Sequence, residues 1–118
     1  MSIYQKKHNR ESFTDGILFA VIANNKTITQ NVSDKPFFFG NRTIGITRFY
    51  NSKSAGERID RLIAVPHNDI IKEHHKIVID KDIYDIAQLQ IKYDTEPPSM
   101  YLSLRKTAIG YKDERTIS

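Results

Sequence analysis

Cysteine and tryptophan are absent from the 118 residues, and glycine and proline are scarce, with 5 and 4 residues. Without cysteine, the chain has no disulfides and no thiolate ligands for a metal. No apolar run approaches the ~18 residues that a membrane-spanning helix needs. The polar stretch from residue 1 to residue 11 lacks the apolar centre of a signal peptide. We therefore expect a protein that works without secretion and without a membrane partner.

Residues typical of β-strands dominate the composition. Ile, Val, Thr, Tyr and Phe together account for 41 residues, whereas Leu and Ala account for only 11. β-Branched and aromatic side chains favour a pleated, half-buried surface, while Leu and Ala favour helices. The composition and the short spacing between turn signals predict an all-β fold, a small antiparallel β-barrel or sandwich of six or seven strands.

Alternating apolar residues place the individual strands. Residues 59–65 also fit helical spacing, but their alternation and the proline that follows favour a strand. In the longest candidate, Ile83, Ala87, Leu89, Ile91 and Tyr93 are predicted to share one side, and Met100, Leu102 and Leu104 to form the inner face of the last strand. The predicted strands are 17–23, 27–29, 43–50, 59–65, 77–79, 83–93 and 100–104.

The chain length predicts one domain. We assign the barrel to residues 15–106, between an N-terminal arm of residues 1–14 and a C-terminal arm of residues 107–118. The net charge of +4 comes from residues 1–12 and 105–118, and the body between them is neutral. A domain that binds nucleic acid usually has a basic face on its folded body. The neutral body of this chain does not indicate such a face.

Residues 30–45 form an unusual segment, because a polar stretch is followed by Pro36, three consecutive phenylalanines and a glycine. We predict a long early loop here. Its aromatic side chains either pack into the core or meet a partner. The residues of interest in this loop are Lys35, Pro36, Phe37, Phe38, Phe39, Gly40 and Arg42.

Residues that carry enzyme chemistry do not combine into a recognisable site. One group resembles a metal-binding cluster, but it has no histidine pair at helical spacing, and a solvated connector explains it. No nucleophile elbow and no phosphate-binding loop are present. We therefore predict no enzyme activity, no catalytic residues, no cofactor and no metal. The members of the metal-like group are His67, Asp69, Glu73, His74 and His75.

A second interpretation is a small binding module. Aromatic side chains on barrel strands can stack on the bases of single-stranded nucleic acid. The candidates for such a platform are Tyr84, Tyr93, Tyr101 and Arg48. On this alternative the chain would be an OB-like or SH3-like barrel that binds nucleic acid or peptide.

Several stretches of the chain carry a family resemblance. They are residues 45–50 and 56–66, residues 83–86, and above all residues 94–105, which read Asp-Thr-Glu-Pro-Pro-Ser-Met-Tyr-Leu-Ser-Leu-Arg. Residues 15–19 also fit. In these stretches the chain resembles the head closure proteins of long-tailed bacteriophages, also called head–tail connector or head–tail joining proteins. The chain departs from that family around residues 74–76, where an acidic residue or glycine is more usual.

The resemblance implies a small barrel that assembles as a dodecameric ring below the head adaptor protein on the portal. Such a ring closes the channel over packaged DNA and carries the tail terminator and tail tube proteins. The protein would be assembled in the host cytoplasm and reside in the virion. Residues 30–45 align with the stopper loop, where Lys35 and Arg42 would contact DNA without sequence preference. Arms at both ends of the chain can order on neighbouring subunits. The candidate residues for contacts with subunits or partners are Tyr4, Arg48, Tyr50, Arg105 and Tyr111.

Overall fold

The computed structural model describes residues 9–43, 59–107 and 110–115. Within these ranges the secondary structure consists of ten strands and no helix, so no helix there has the length and hydropathy to cross a membrane. The strands are β1 (Asn9–Arg10), β2 (Gly16–Asn24), β3 (Thr27–Asn31), β4 (Phe37–Arg42), β5 (Arg61–Pro66), β6 (Lys76–Ile79), β7 (Asp82–Lys92), β8 (Thr95–Glu96), β9 (Ser99–Lys106) and β10 (Lys112–Asp113).

Six of these strands close into an antiparallel barrel. Their order is β2, β4, β5, β9, β7 and β6, and β6 pairs again with β2 to complete the circle. β3 extends the barrel as a hairpin with the second half of β2. The two short terminal strands pair in parallel, β1 with β8 and β10 with β3. The prediction of a small all-β barrel is confirmed.

The main core fills the inside of the barrel with aliphatic side chains and two aromatic rings. Met100, Leu102 and Leu104 all lie in it, as predicted for the inner face of β9. Residues 59–65 were ambiguous between helix and strand, and β5 confirms the strand. A second cluster, built on Val21, Ile28 and Val78, lies outside the barrel wall. The buried members of the main core are Leu18, Ala20, Phe39, Ile63, Val65, Ile71, Ile77, Ile79, Tyr84, Ile86, Met100, Leu102 and Leu104.

The predicted face of the longest strand is wrong. A register shift after Ile86 marks a bulge in β7, and a bulge moves the alternation of side chains by one residue. Before the bulge, Tyr84 and Ile86 face the main core while Ile83 packs against the second cluster. After it, Leu89 packs against the main core, and beyond the strand Tyr93 is 71% exposed. The predicted set of Ile83, Ala87, Leu89, Ile91 and Tyr93 therefore does not share one side.

The predicted long loop over residues 30–45 is also wrong, because eight of its fourteen described residues, 30–43, lie in strands; residues 44 and 45 lie outside the described residues. β3 continues to residue 31, β4 begins at residue 37, and only residues 32–36 connect them. Strand geometry accounts for the three phenylalanines, since successive side chains point to opposite faces. Phe37 packs against the main core and Phe39 is 1% exposed within it, whereas Phe38 points outward and is 62% exposed.

The histidine-rich connector between β5 and β6 contains a tight turn closed by His75. The His75 amide donates to the Lys72 carbonyl at 3.0 Å, and the Lys72 amide donates to His75 Nδ1 at 3.0 Å. The ring is 6% exposed. Two other members of the predicted metal-like group make local contacts: His67 packs edge-on against Tyr93, and Glu73 accepts a hydrogen bond from the Leu89 amide.

The turn predicts a pH dependence of stability. Burial lowers the pKa of His75, with smaller contributions from His74 and Lys72. As the pH falls, the unfolded chain therefore binds a proton at His75 before the folded chain does. The stabilisation of the fold by neutral His75 is complete above about pH 6.5 and declines as the pH falls towards the folded pKa. We expect His75→Asn, whose side-chain oxygen replaces Nδ1 as the acceptor, to weaken this decline in urea unfolding across that range. An unchanged decline would contradict the assignment, and the control is His67→Asn in the same connector, since His67 is not among the groups that lower the pKa of His75.

Candidate functional site

The N-terminal segment lies against the outer face of the barrel, and we call residues 9–15 the strap. Its first two residues pair with β8, and the Glu11 amide then donates to the Glu96 carbonyl at 3.1 Å. Its last residue, Asp15, donates its amide to the Phe39 carbonyl at 2.9 Å. The strap therefore crosses the outside of the barrel from the β8–β9 side to β4 before the chain enters β2.

A polar site holds the middle of the strap, and we call Arg42 and Tyr101 the clamp. Arg42 Nη2 lies 2.6 Å from Glu11 Oε1, and Arg42 Nε donates to the same oxygen at 3.2 Å. The Tyr101 hydroxyl donates to Glu11 Oε2 at 3.2 Å. The Glu11 side chain is only 6% exposed and that of Arg42 19%. Hydrogen bonds to a charged group that is screened from water are among the stronger polar contacts in proteins.

Arg42 is the centre of this site. It also donates to the Ser12 carbonyl at 3.1 Å and to the Asn41 carbonyl at 2.8 Å. Its guanidinium lies 5.8 Å from the centre of the Tyr101 ring. Burial lowers the pKa of Arg42, but its interactions with Glu11 and Tyr101 outweigh burial and raise the pKa above its ordinary value. Arg42 was predicted to contact DNA, whereas in the structure its guanidinium binds Glu11 and the Ser12 carbonyl of the strap.

Small residues on the barrel wall let the strap lie close. Gly40, Ala64 and Tyr101 stand side by side on β4, β5 and β9, and Gly40 and Ala64 are both buried. A Cβ added to Gly40 would collide with the Ser12 carbonyl oxygen and lie 2.6 Å from Arg42 Nη1. Glycine is therefore required here because another backbone approaches it closely.

The C-terminal arm covers a different part of the wall. The Lys112 amide donates to the Lys26 carbonyl and the Glu114 amide to the Ile28 carbonyl, each at 2.8 Å. Tyr111 packs against the second apolar cluster. Arg115 reaches Asn31 at 2.9 Å, and its hydrogen bonds lower the pKa of Asp113. β10 thereby occupies the free edge of β3, where an exposed ladder would otherwise invite pairing with another chain.

The remaining predicted site residues are dispersed. In the connector before β4, Lys35 is exposed and Pro36 is half-buried. Arg105 lies 3.5 Å from Asp85 across β7 and β9. Tyr111 belongs to the contact of the C-terminal arm described above. Three of the predicted interface residues lie outside the described residues, namely Tyr4, Arg48 and Tyr50.

The three tyrosines of the suggested stacking platform do not share a surface. Tyr84 is 6% exposed and belongs to the main core. Tyr101 lies on the outer face, where its hydroxyl is bound to the strap. Tyr93 is exposed and contacts His67 with ring centres 5.6 Å apart. The fourth candidate, Arg48, lies outside the described residues.

Next to the strap, the barrel exposes an apolar pair. Ile17 on β2 and Phe38 on β4 are direct cross-strand partners, and they are 45% and 62% exposed. Phe38 precedes Gly40 on the same face of β4, so the pair borders the surface that the strap covers. Exposed large apolar side chains that occur together, rather than singly, are typical of interaction surfaces.

Sequence reasoning missed Glu11, which is the main anchor of the strap. Its partner Arg42 is 31 positions away, and no local pattern connects a single glutamate in a polar arm with that arginine. Comparison of the chain with protein-family models, curated proteins and solved structures gave no match. The function is therefore argued from this geometry and from the sequence resemblance.

The close approach at Gly40 predicts the effect of one added methyl group. Gly40→Ala should lower the free energy of unfolding by about 1–3 kcal/mol, the usual range for overpacking, because the strap has to move away from the wall. The matched control is Gly110→Ala, since nothing lies within 4 Å of a Cβ at Gly110. Urea unfolding measures both variants. Equal stability of the two would contradict the strap contact.

Proposed function

We propose that the protein is a head closure protein of a long-tailed phage or prophage. In this role it is a structural component of the virion neck rather than an enzyme. It forms a ring, twelve-fold by the resemblance, that seals the portal channel after DNA packaging. The ring docks on the head adaptor protein and offers the tail its attachment platform. The observation that carries the proposal is the similarity of residues 94–105 to this family.

The similar residues have clear structural roles, which supports the proposal. Thr95 and Ser99 are buried, and their hydroxyl oxygens lie 2.9 Å apart. This contact joins the two ends of the proline-rich turn, and the Thr95 hydroxyl also donates to the Pro97 carbonyl at 2.8 Å. The apolar residues that follow line the main core. The resemblance therefore falls on residues that determine a barrel hairpin, and a small barrel is the fold that the resemblance implies.

The surface of the barrel is also consistent with a ring subunit. A ring repeats a contact between two unlike patches around an axis. The exposed pair Ile17 and Phe38 supplies one apolar patch for such a contact. The two arms run over the outer wall, where a neighbouring subunit would meet them.

The stopper element is not assigned to residues 30–45 in this proposal. Phe37 and Phe39 face the barrel core, and Arg42 is engaged with Glu11. Of the seven residues singled out in this segment, Phe38 and the connector residue Lys35 are the exposed ones. Contact with DNA in the channel would be non-specific and electrostatic.

Deletion of the protein from the phage that encodes it tests the role. We expect lysates with heads that have lost their DNA and carry no tails, together with free tails, and restoration of complete virions when the intact protein is supplied in trans. Electron microscopy distinguishes these particles, and antibody labelling should mark the head–tail junction. Complete, infectious virions without the protein would contradict the proposal. Tight binding of the isolated monomer to oligonucleotides, with a steep decrease in salt, would favour the small binding module instead.

A further inference from the structure

We propose that the first part of the strap is exchanged between subunits, so that residues 9–12 of one copy occupy the clamp of a second copy while residues 13–15 form the hinge. The inference stands on the contacts of the strap and does not require the phage role. Its partner is another copy of this chain. Exchange of an identical element reproduces the same contacts between two molecules and is a low-cost route to assembly.

The strap has the contacts of a separable element. The described bonds of residues 9–12 run to groups on the outer wall of the finished barrel, namely β8, the Glu96 carbonyl and the clamp. Asp15, next to β2, bonds to Phe39 and Asn41 of its own barrel. None of the strap's residues belongs to the main core, so the packing inside the barrel does not depend on the strap. The barrel can therefore close without it, and the clamp on one subunit accepts the glutamate of any copy.

The specificity of the clamp favours this strap over other extended segments. A screened carboxylate must meet Arg42 and Tyr101 together, while the following carbonyl lies against Gly40. In the chain, Glu11 followed by the small residue Ser12 meets both conditions. An empty clamp would leave the guanidinium without its carboxylate, and an unpaired, partly buried charge is unfavourable.

The short link between strap and barrel determines where the second copy would lie. Six residue steps separate Glu11 from Ile17, and extended chain spans at most about 3.3–3.6 Å per residue, or about 20 Å in total. When the strap of one subunit sits on a neighbour, the two barrels must touch close to Ile17. The exposed pair Ile17 and Phe38 lies at that position. In the exchanged state, the second copy therefore covers this apolar surface.

Each subunit gives one strap and receives one. Two copies that exchange reciprocally form a closed dimer, and copies that pass the strap in one direction form a ring. The second arrangement gives the proposed phage ring a physical link between neighbours. Either arrangement leaves the closed monomer as the competing state, with the same clamp contacts made within one chain.

Cysteine cross-linking tests the exchange directly, because the chain has no cysteine of its own. Arg10 and Glu96 are register partners in the parallel pair β1–β8, so cysteines at these positions are close enough for a disulfide. One sample carries Arg10→Cys and the other Glu96→Cys with a mass tag. The two are mixed, incubated and oxidised. We expect a disulfide between the tagged and untagged chains, identified by its mass on a non-reducing gel.

The control mixes Arg10→Cys with Lys81→Cys, which lies in the β6–β7 turn away from β8. Exchange predicts at least about tenfold less of this product, because only the Glu96 position is next to a received strap. The double variant Arg10→Cys with Glu96→Cys gives a second readout. Exchange predicts covalent dimers or higher species, whereas exclusively intramolecular disulfide would overturn the inference.

A variant in the apolar pair Ile17 and Phe38 provides a second, independent test. Phe38→Ser leaves the strap and clamp unchanged and, because Phe38 is 62% exposed, should leave the folded barrel intact by circular dichroism. It should reduce the intermolecular disulfide several-fold if the second copy covers Ile17 and Phe38. An unchanged yield would refute that placement. The cross-linking outcome does not depend on any virion, so failure of exchange and failure of the phage role are distinguished.

Discussion

The outer face of the barrel depends on one constraint: the buried carboxylate of Glu11 needs Arg42. A charged group removed from water is unfavourable unless it is paired and hydrogen-bonded. Here the carboxylate takes two bonds from the guanidinium and one from the Tyr101 hydroxyl. Backbone bonds hold the two ends of the strap, and this pairing holds its middle against the wall, where the Ser12 carbonyl lies over Gly40.

The two arms stabilise the barrel by different means. Each arm pairs as a short parallel strand, β1 with β8 and β10 with β3, but the strap adds a polar clamp while the C-terminal arm adds Tyr111 on an apolar cluster. A polar clamp of fixed geometry selects one segment, but it contributes little apolar burial. Such a contact suits an element that changes its partner. The C-terminal arm covers the free edge of β3, and it is therefore better suited to a contact that stays within one chain.

Alternation of apolar residues was sufficient to predict the barrel and most of its strands, since Met100, Leu102 and Leu104 repeat at the strand period. It gave the wrong face for β7, because no residue pattern indicates the bulge after Ile86. The bulge changes which side of the strand the later side chains occupy. Alternation failed at the three phenylalanines for another reason. Three apolar residues in succession do not alternate, yet Phe38 is exposed between the half-buried Phe37 and the buried Phe39. The clamp was not predictable, because Glu11 and Arg42 are distant in sequence and each is common on surfaces.

Amide hydrogen exchange at Glu11 and Asp15 tests whether the Glu11 carboxylate holds the strap on the barrel. Both amides donate to barrel carbonyls, at 3.1 and 2.9 Å. We expect both amides to exchange much more slowly than in an unfolded chain, and Glu11→Gln to remove this protection while the amide of Leu102 in β9 stays protected. Exchange of the Glu11 amide at the unfolded rate in the unmodified protein, with Leu102 protected, would contradict this role of the carboxylate.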